Sequence, residues 1–563
     1  MSKKLKILFI GLVFLIIPAI AGADELLQKT DFFVDPLYDL NQREKITAVL
    51  QRITDKLYFY LDASWWDNLD IEKRKEVNIA IDDLTREFEN KIYPILTLNY
   101  GSEWKPGIDG DPRITILIHP MVDTASGYFN PADEYARAQV PTSNQREMVY
   151  LNSKQITNTI SKSLLAHEFT HLITFNQKDR TYGVSEDVWL NEARAEYAPT
   201  LIGYDKDYQD SYLQKRVRQF LETPQDSLTE WQGKSSDYGG LNLFTQYLAD
   251  RYGKEILIDS LKSGQTGIAS INTALKKNGF NEDFSQIFTN WLITVFVNNC
   301  ELGKNYCYLN DNLKNLRVTP FIYFLPTVGE STLSVGYLTK EWAGNWQKII
   351  GGRENLKLEF TGSPEANFKV PYIVEKTAGK TVNFLTLDQF QKGTINVKDE
   401  QIISLTIIPS VQKKIVGFAE NELSYQFFWS VTTEQSGAGE QTELIKQLQA
   451  RIEALLVQIA YLQAQLGTIS NGETTCKTFG NDLYYGMMQN IEVRCLQEFL
   501  KNQGQDVYPE GLVTGNFLSL TQTAVIRFQE KYKAEILTPL GLGQGTGYFG
   551  VLTRQVANRL FPK

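Results

Sequence analysis

The chain of 563 residues contains three histidines, His119, His167 and His171, so any imidazole chemistry must draw on these positions. Two of them stand four apart in His167-Glu168-Phe169-Thr170-His171. On a helix, residues four apart share a face, so the two imidazoles can offer nitrogens to one metal ion. Glu168 projects beside them, placed to take a proton from a metal-bound water. Zinc suits this donor type and lowers the pKa of its water to near neutrality, which makes a carboxylate a sufficient base. A third ligand is needed. Glu192 stands 21 residues beyond His171 in Trp189-Leu190-Asn191-Glu192-Ala193-Arg194-Ala195-Glu196-Tyr197, far enough for a loop and a returning helix. The competing reading of Glu192 and Glu196 is a solvated helix face with Arg194 between them.

Leu164, Leu165, Phe169 and Leu172 surround the histidine pair and predict a buried helix over Ser161–Phe175. EMVYLNS (147–153) reads as the strand before it, RITILIHP (113–120) as a buried strand, and KLYFYLDAS (56–64) as another. Ile71 to Leu96 reads as an amphipathic helix. His119 ends a buried strand ahead of Pro120 and reads as a structural histidine rather than a fourth ligand.

HEFTH followed by WLNEARAEY resembles the gluzincin zinc metallopeptidases. A looser likeness to secreted hyicolysin-like peptidases covers roughly residues 50–260, through GIDGDPRITILIHPM, GYFNPADEY and YGGLNLFTQYLADRYG. The resemblance implies a zincin fold, a twisted mixed sheet over the HExxH helix. It implies Zn2+ held by His167, His171 and Glu192, with Glu168 as general base. Glu196 matches the acid that orients a ligand imidazole, and Asn191 stands with it behind the ligands. Thr174 and Gln177 occupy positions where an astacin-type site would need Gly and His, which excludes that class. Thermolysin-type enzymes use a downstream histidine on the oxyanion, and no histidine follows His171. A tyrosine hydroxyl can donate the same hydrogen bond. Tyr238 is the candidate, because Asp237-Tyr238-Gly239-Gly240 opens a helix; the alternative is that it packs in the core.

The rest of the chain suggests where such an enzyme is held. Hydrophobic residues at 42% and charged residues at 22% exclude disorder throughout and a polytopic membrane protein. A net charge of −9 argues against a nucleic-acid partner. Lys3, Lys4 and Lys6, an apolar run from Ile7 to Ile20 and Ala21-Gly22-Ala23 read as a signal peptide (1–23), hence a secreted or cell-wall-associated chain; an uncleaved anchor is the alternative. Export permits disulfides, for which Cys300–Cys307 and Cys476–Cys495 are the expected pairs.

The expected architecture is multidomain: an α+β peptidase domain (24–310), a β-sandwich (319–433), a coiled-coil helix (442–467) and a small three-helix domain (476–563). Ile445, Leu448, Ile452, Leu455, Ile459, Leu462 and Leu466 form the heptad seam, which favours a parallel homodimer, against a single helical spacer. Two terminal stretches repeat at a 32-residue interval, Thr514-Gly515-Asn516-Phe517 and Thr546-Gly547-Tyr548-Phe549, each a turn before an amphipathic helix with a capping threonine. With NIEVRCLQEFLKNQG (490–504) they resemble the peptidoglycan-binding domain of bacterial wall enzymes, which implies attachment to the cell wall.

These readings converge on a zinc-dependent endopeptidase acting on proteins. The alternatives are a peptidase for peptidoglycan peptides, an inactive cell-surface scaffold, or an aminopeptidase, for which no GxMEN-like segment precedes HEFTH. Cleavage preference and calcium binding at acidic loops such as GIDGDP stay open.

Overall fold

The structure, a computed structural model, describes residues 24–325, 331–433 apart from 352–353, 400–401, 416 and 419–421, and 478–561 apart from 488–489, 510 and 512. The apolar start (1–23), the heptad segment (442–467) and Cys476 lie outside the described residues. The chain is multidomain with mixed helix and sheet content. It divides into two compact units, one reaching to Val318 and including Lys414–Glu422, the other made of Thr319–Lys413 and the chain from Leu423 onward.

The first unit is built on a six-stranded sheet of β1 (Lys29–Phe33), β2 (Lys45–Ile53), β3 (Leu57–Asp62), β4 (Ile114–His119), β5 (Gly127–Tyr128) and β6 (Met148–Asn152), in the order β1-β2-β3-β4-β6-β5. Strands β3, β4 and β6 are parallel, while β5 runs antiparallel to β6 at the edge. Every residue of the three parallel strands is buried, as their continuous apolar runs require of strands covered on both faces.

Helices α1 (Ala63–Asp67), α2 (Ile71–Glu87) and α3 (Tyr93–Tyr100) follow β3, and α2 runs through a π-helical turn at Phe88–Ile92 directly into α3. The amphipathic pattern therefore extends past Leu96, because nothing in it stops a helix until Gly101 turns the backbone to φ 97°. Helix α4 (Ser161–Phe175) then follows β6, and α5 (Val188–Ile202), α6 (Tyr212–Glu222) and α7 (Ser235–Tyr252) complete the part that matters for the site. In α4 every residue except Lys162 is buried, so the HExxH motif lies inside the unit rather than on a surface helix. A disulfide joins Cys300 to Cys307, closing the loop after the helix Phe284–Val297. Among the described residues, no helix is long and apolar enough to cross a membrane.

The second unit begins with two antiparallel-rich sheets. One has four strands, in the order Lys392–Asp399, Glu354–Gly362, Ser424–Thr433 and Ser331–Lys340. The other has five and includes Pro371–Lys376, Ile402–Ile407 and Gln347–Ile350. One buried cluster joins Leu358, Phe427 and Trp429 of the first sheet to Ile349, Val374 and Leu405 of the second. Each sheet thus hides its apolar face against the other.

The 32-residue sequence repeat is also a structural repeat. Gln497, in the helix Ile491–Asn502, donates to Asn516 O (2.9 Å) and Thr521 Oγ1 (2.8 Å) and accepts from the amides of Thr514 (2.7 Å) and Gly515 (2.8 Å). Gln529, in the helix Ser519–Lys531, makes the matching set to Tyr548 O, Thr553 Oγ1 and the amides of Thr546 and Gly547. The expected role of the threonines as helix caps is corrected here. Thr514 and Thr546 accept from the amides two residues on and so close the turns. The helices Ser519–Lys531 and Val551–Leu560 carry no side-chain cap. A threonine oxygen reaches only two or three residues ahead, and these threonines stand too far before the helices.

Gln529→Ala is expected to cost about 1–3 kcal/mol, because it strands two amides and a carbonyl beneath the module. Thermal unfolding of the full chain measures it. Gln497→Ala should give a similar loss if the repeat is energetic as well as geometric.

Candidate metal centre

Helices α4 and α5 pack against each other and bring three side chains to one point. His167 Nε2 lies 3.2 Å from His171 Nε2 and 3.3 Å from Glu192 Oε2, and His171 Nε2 lies 3.7 Å from Glu192 Oε1. These three residues form a candidate metal-binding group among the described residues. A tetrahedral ion with bonds near 2.0–2.2 Å separates its ligand atoms by about 3.3–3.5 Å, so the triangle has the right size for Zn2+. Glu192 Oε2 is buried and accepts no hydrogen bond. A carboxylate held this way beside two imidazole nitrogens suits a cation better than solvent.

The remaining imidazole nitrogens point at oxygens that fix the rings. His171 Nδ1 faces Asn191 Oδ1 at 3.1 Å, and His167 Nδ1 lies 3.3 Å from Glu196 Oε1, at ion-pair distance rather than in an ideal hydrogen bond. Both Nε2 atoms are thereby left to the common point. Glu196 is fully buried. It accepts from Tyr212 Oη (2.7 Å) and from Arg216 through Nε (2.7 Å) and Nη2 (2.6 Å), which ties α5 to α6. Burial would raise the Glu196 carboxyl, but Arg216 and then His167 overcome it and hold the pKa down to about 2. Burial alone would lower His167; the carboxylates of Glu192 and Glu196, each 3.3 Å away, raise it to about 10 instead. His171 is lowered, chiefly by burial. Arg194 does not share this face: it is fully buried and pairs with Glu186 at 2.7 Å. The solvated-face reading of Glu192 and Glu196 is thereby removed.

Glu168 is buried beside the triangle without joining it. Burial, opposed by His167, pushes its carboxyl up to about 8. Edge strand β5 crosses directly over it: a Cβ added at Gly127 would come within 2.9 Å of Glu168 Oε1 and 2.7 Å of Tyr150 O. Glycine at 127 is what lets backbone approach the Glu168 carboxyl this closely.

Tyr238, on the first turn of α7, lies where the charges of Glu192, Glu196 and Glu168 act on it. Its ring is held between Trp231, at 4.8 Å, and the Arg216 guanidinium, 4.6 Å from the ring centroid. Tyr238 therefore stands beside Arg216, within electrostatic reach of the three glutamates, and the ring contacts that hold it do not involve its hydroxyl. Tyr238→Phe is expected to lower kcat by about 10²–10³ with KM nearly unchanged, the mark of a donor that acts on developing charge. Steady-state kinetics on a peptide substrate separates this from a packing role, which would move both constants or neither.

No protein-family model matches this chain, and no curated protein does. The geometry of the site brings together His167, His171, Glu192, Asn191 and Glu196, with Glu168 and Tyr238 within electrostatic reach of them. His119 lies apart, fully buried, with Nδ1 3.2 Å from Asp39 Oδ2. Sequence reasoning missed Arg216, which orders both Glu196 and Tyr238, and Tyr38. The latter, its ring tilted against Tyr128 at 4.8 Å, feels the charges of Asp35, Glu192 and Glu168. Neither residue belongs to a motif, and only the folded chain puts them here.

Proposed function

We propose that the chain is an exported zinc endopeptidase of the gluzincin type, cutting peptide bonds in proteins. The observation that carries this reading is the His167–His171–Glu192 triangle with both Nδ1 atoms turned to Asn191 and Glu196. A Zn2+ ion bound there supplies a Lewis acid that acidifies water and polarises the scissile carbonyl. Glu168 then takes the proton of the attacking water on its carboxylate and delivers it to the leaving amine. The Tyr238 hydroxyl donates a hydrogen bond to the carbonyl oxygen as negative charge builds on it. Among the described residues strand β5 pairs only with β6, so its outer edge offers backbone groups to an extended peptide lying over Glu168. The likeness of the terminal repeat to peptidoglycan-binding domains supports retention at the cell wall.

The test is the zinc content of the purified full-length chain, with casein hydrolysis before and after metal removal. One zinc per chain, with activity lost on chelation and restored by Zn2+, is the expected result. A well-folded chain that binds no zinc sinks the reading. Cleavage of wall peptides but not casein would move the substrate to peptidoglycan.

A further inference from the structure

A second group of buried acids lies in the first unit, on the connection between β5 and β6. Glu134 ends the short turn Pro131–Glu134 that follows β5, and Glu147 immediately precedes β6. Both are 2% exposed, and their carboxyl groups lie within hydrogen-bond reach of each other. Both Glu134 oxygens and Glu147 Oε2 are buried without a hydrogen-bond donor. Glu147 Oε1 accepts from the amide of Ile108 at 2.9 Å. Neither glutamate is ion-paired to a basic side chain among the described residues; the nearby Arg180 guanidinium instead lies over the Trp104 ring.

The neighbouring acid shows that this arrangement is not the local habit. Asp133, in the same turn, is equally buried but accepts from Tyr150 Oη (2.6 Å) and the Asn144 amide (2.8 Å). Bare buried carboxylate oxygens are costly, and three of them in one place call for a partner that supplies positive charge. A single shared proton satisfies at most one oxygen–oxygen contact and leaves the others bare.

We propose that Glu134 and Glu147 form a site for a hard divalent cation of the Ca2+ class, separate from the histidine centre. The donor set is oxygen only, with no imidazole or thiolate, which favours Ca2+ over zinc-type ions. Main chain also approaches closely, since a Cβ added at Gly107 would fall 1.7 Å from Glu147 Oε2. Carbonyl oxygens and water would complete a shell of about 6–8 ligands. Asp109, in the loop Gly107-Ile108-Asp109-Gly110-Asp111, adds negative charge beside Glu147. Burial holds both glutamates above the ordinary carboxylate range; Glu147 adds to the rise at Glu134, and Asp109 to that at Glu147, where the Ile108 amide and Glu134 pull the other way. A bound cation would fasten the β5–β6 connection to the loop around Gly107, and so brace the strand that crosses over Glu168.

The test is titration of CaCl2 into the full-length chain at constant zinc, read by calorimetry and by melting temperature. One site is expected, with Kd in the range of about 10⁻⁴–10⁻³ M or tighter, and a melting temperature that rises with Ca2+. Glu134→Gln should weaken binding at least tenfold and abolish the rise, while Asp123→Asn, an exposed acid elsewhere, should change neither. The wild-type titration stands even if the Gln variant folds poorly. Absence of Ca2+ binding by the wild type overturns the proposal, as does a Glu134→Gln variant that binds Ca2+ normally. A variant that melts higher than wild type with or without Ca2+ also overturns it, since that marks a pair sharing a proton. Zinc content is measured in parallel, so failure here is distinguishable from failure of the histidine centre.

Discussion

Replacing Glu168 with glutamine is expected to lower kcat on a peptide substrate by about 10²–10⁴, while one zinc per chain is retained. The change keeps the size of the side chain under β5, where Gly127 leaves no slack. It removes only the ability to take and return a proton. Zinc should be kept because Glu168 lies outside the His167–His171–Glu192 triangle. Stopped-flow hydrolysis with parallel metal analysis decides the matter. A loss below tenfold would mean that another group is the base, and loss of zinc along with activity would mean that Glu168 holds the metal.

The largest expected effect on stability is at Arg216. Arg216→Met removes the bidentate partner of Glu196 and leaves a carboxylate in the interior with only Tyr212, His167 and a long contact from Asn242. Breaking one side of a buried pair costs about 3–5 kcal/mol, because the surviving charge keeps its desolvation penalty. The urea midpoint of the first unit should fall accordingly. The double variant Arg216→Met/Glu196→Gln should recover part of the loss, since it removes the stranded charge. Because the guanidinium also stacks on Tyr238, the single variant should lower kcat further than its effect on zinc content explains. An unchanged midpoint would show that water reaches Glu196.

The parts of the fold governed by local pattern are legible in the order of the residues. HExxH names the buried helix, and its limits at Ser161 and Phe175 fall where the apolar positions begin and end. The strands at 57–62, 114–119 and 148–152 are short apolar runs between turn residues, and a covered strand needs nothing else. Glu192 is legible as a candidate because a metal site on HExxH would need a third ligand and the stretch 189–197 carries no helix breaker. The rest depends on which faces meet. Nothing along α6 marks Arg216 as the partner of Glu196, since its row of polar residues reads equally well as a solvated face. The pairing of Glu134 with Glu147 joins residues within one long connection, and no period or spacing links them. The helical run from Ile71 outlasts its expected end because only Gly101, with its left-handed backbone, provides a stop.

The paired glutamines of the terminal module have one more consequence, for the order in which the chain acquires structure. Each closes its turn within 24 residues, Gln497 reaching Thr521 and Gln529 reaching Thr553. The strand Ser331–Lys340 has to wait much longer for its neighbour, since Ser331 meets Thr433 across 102 residues. Local closure forfeits little chain entropy before contacts repay it, whereas distant pairing is slow and leaves apolar edges bare meanwhile. The module, although synthesised after the sheet, is therefore the quicker to become compact, and the sheet ahead of it stays exposed to aggregation for longer.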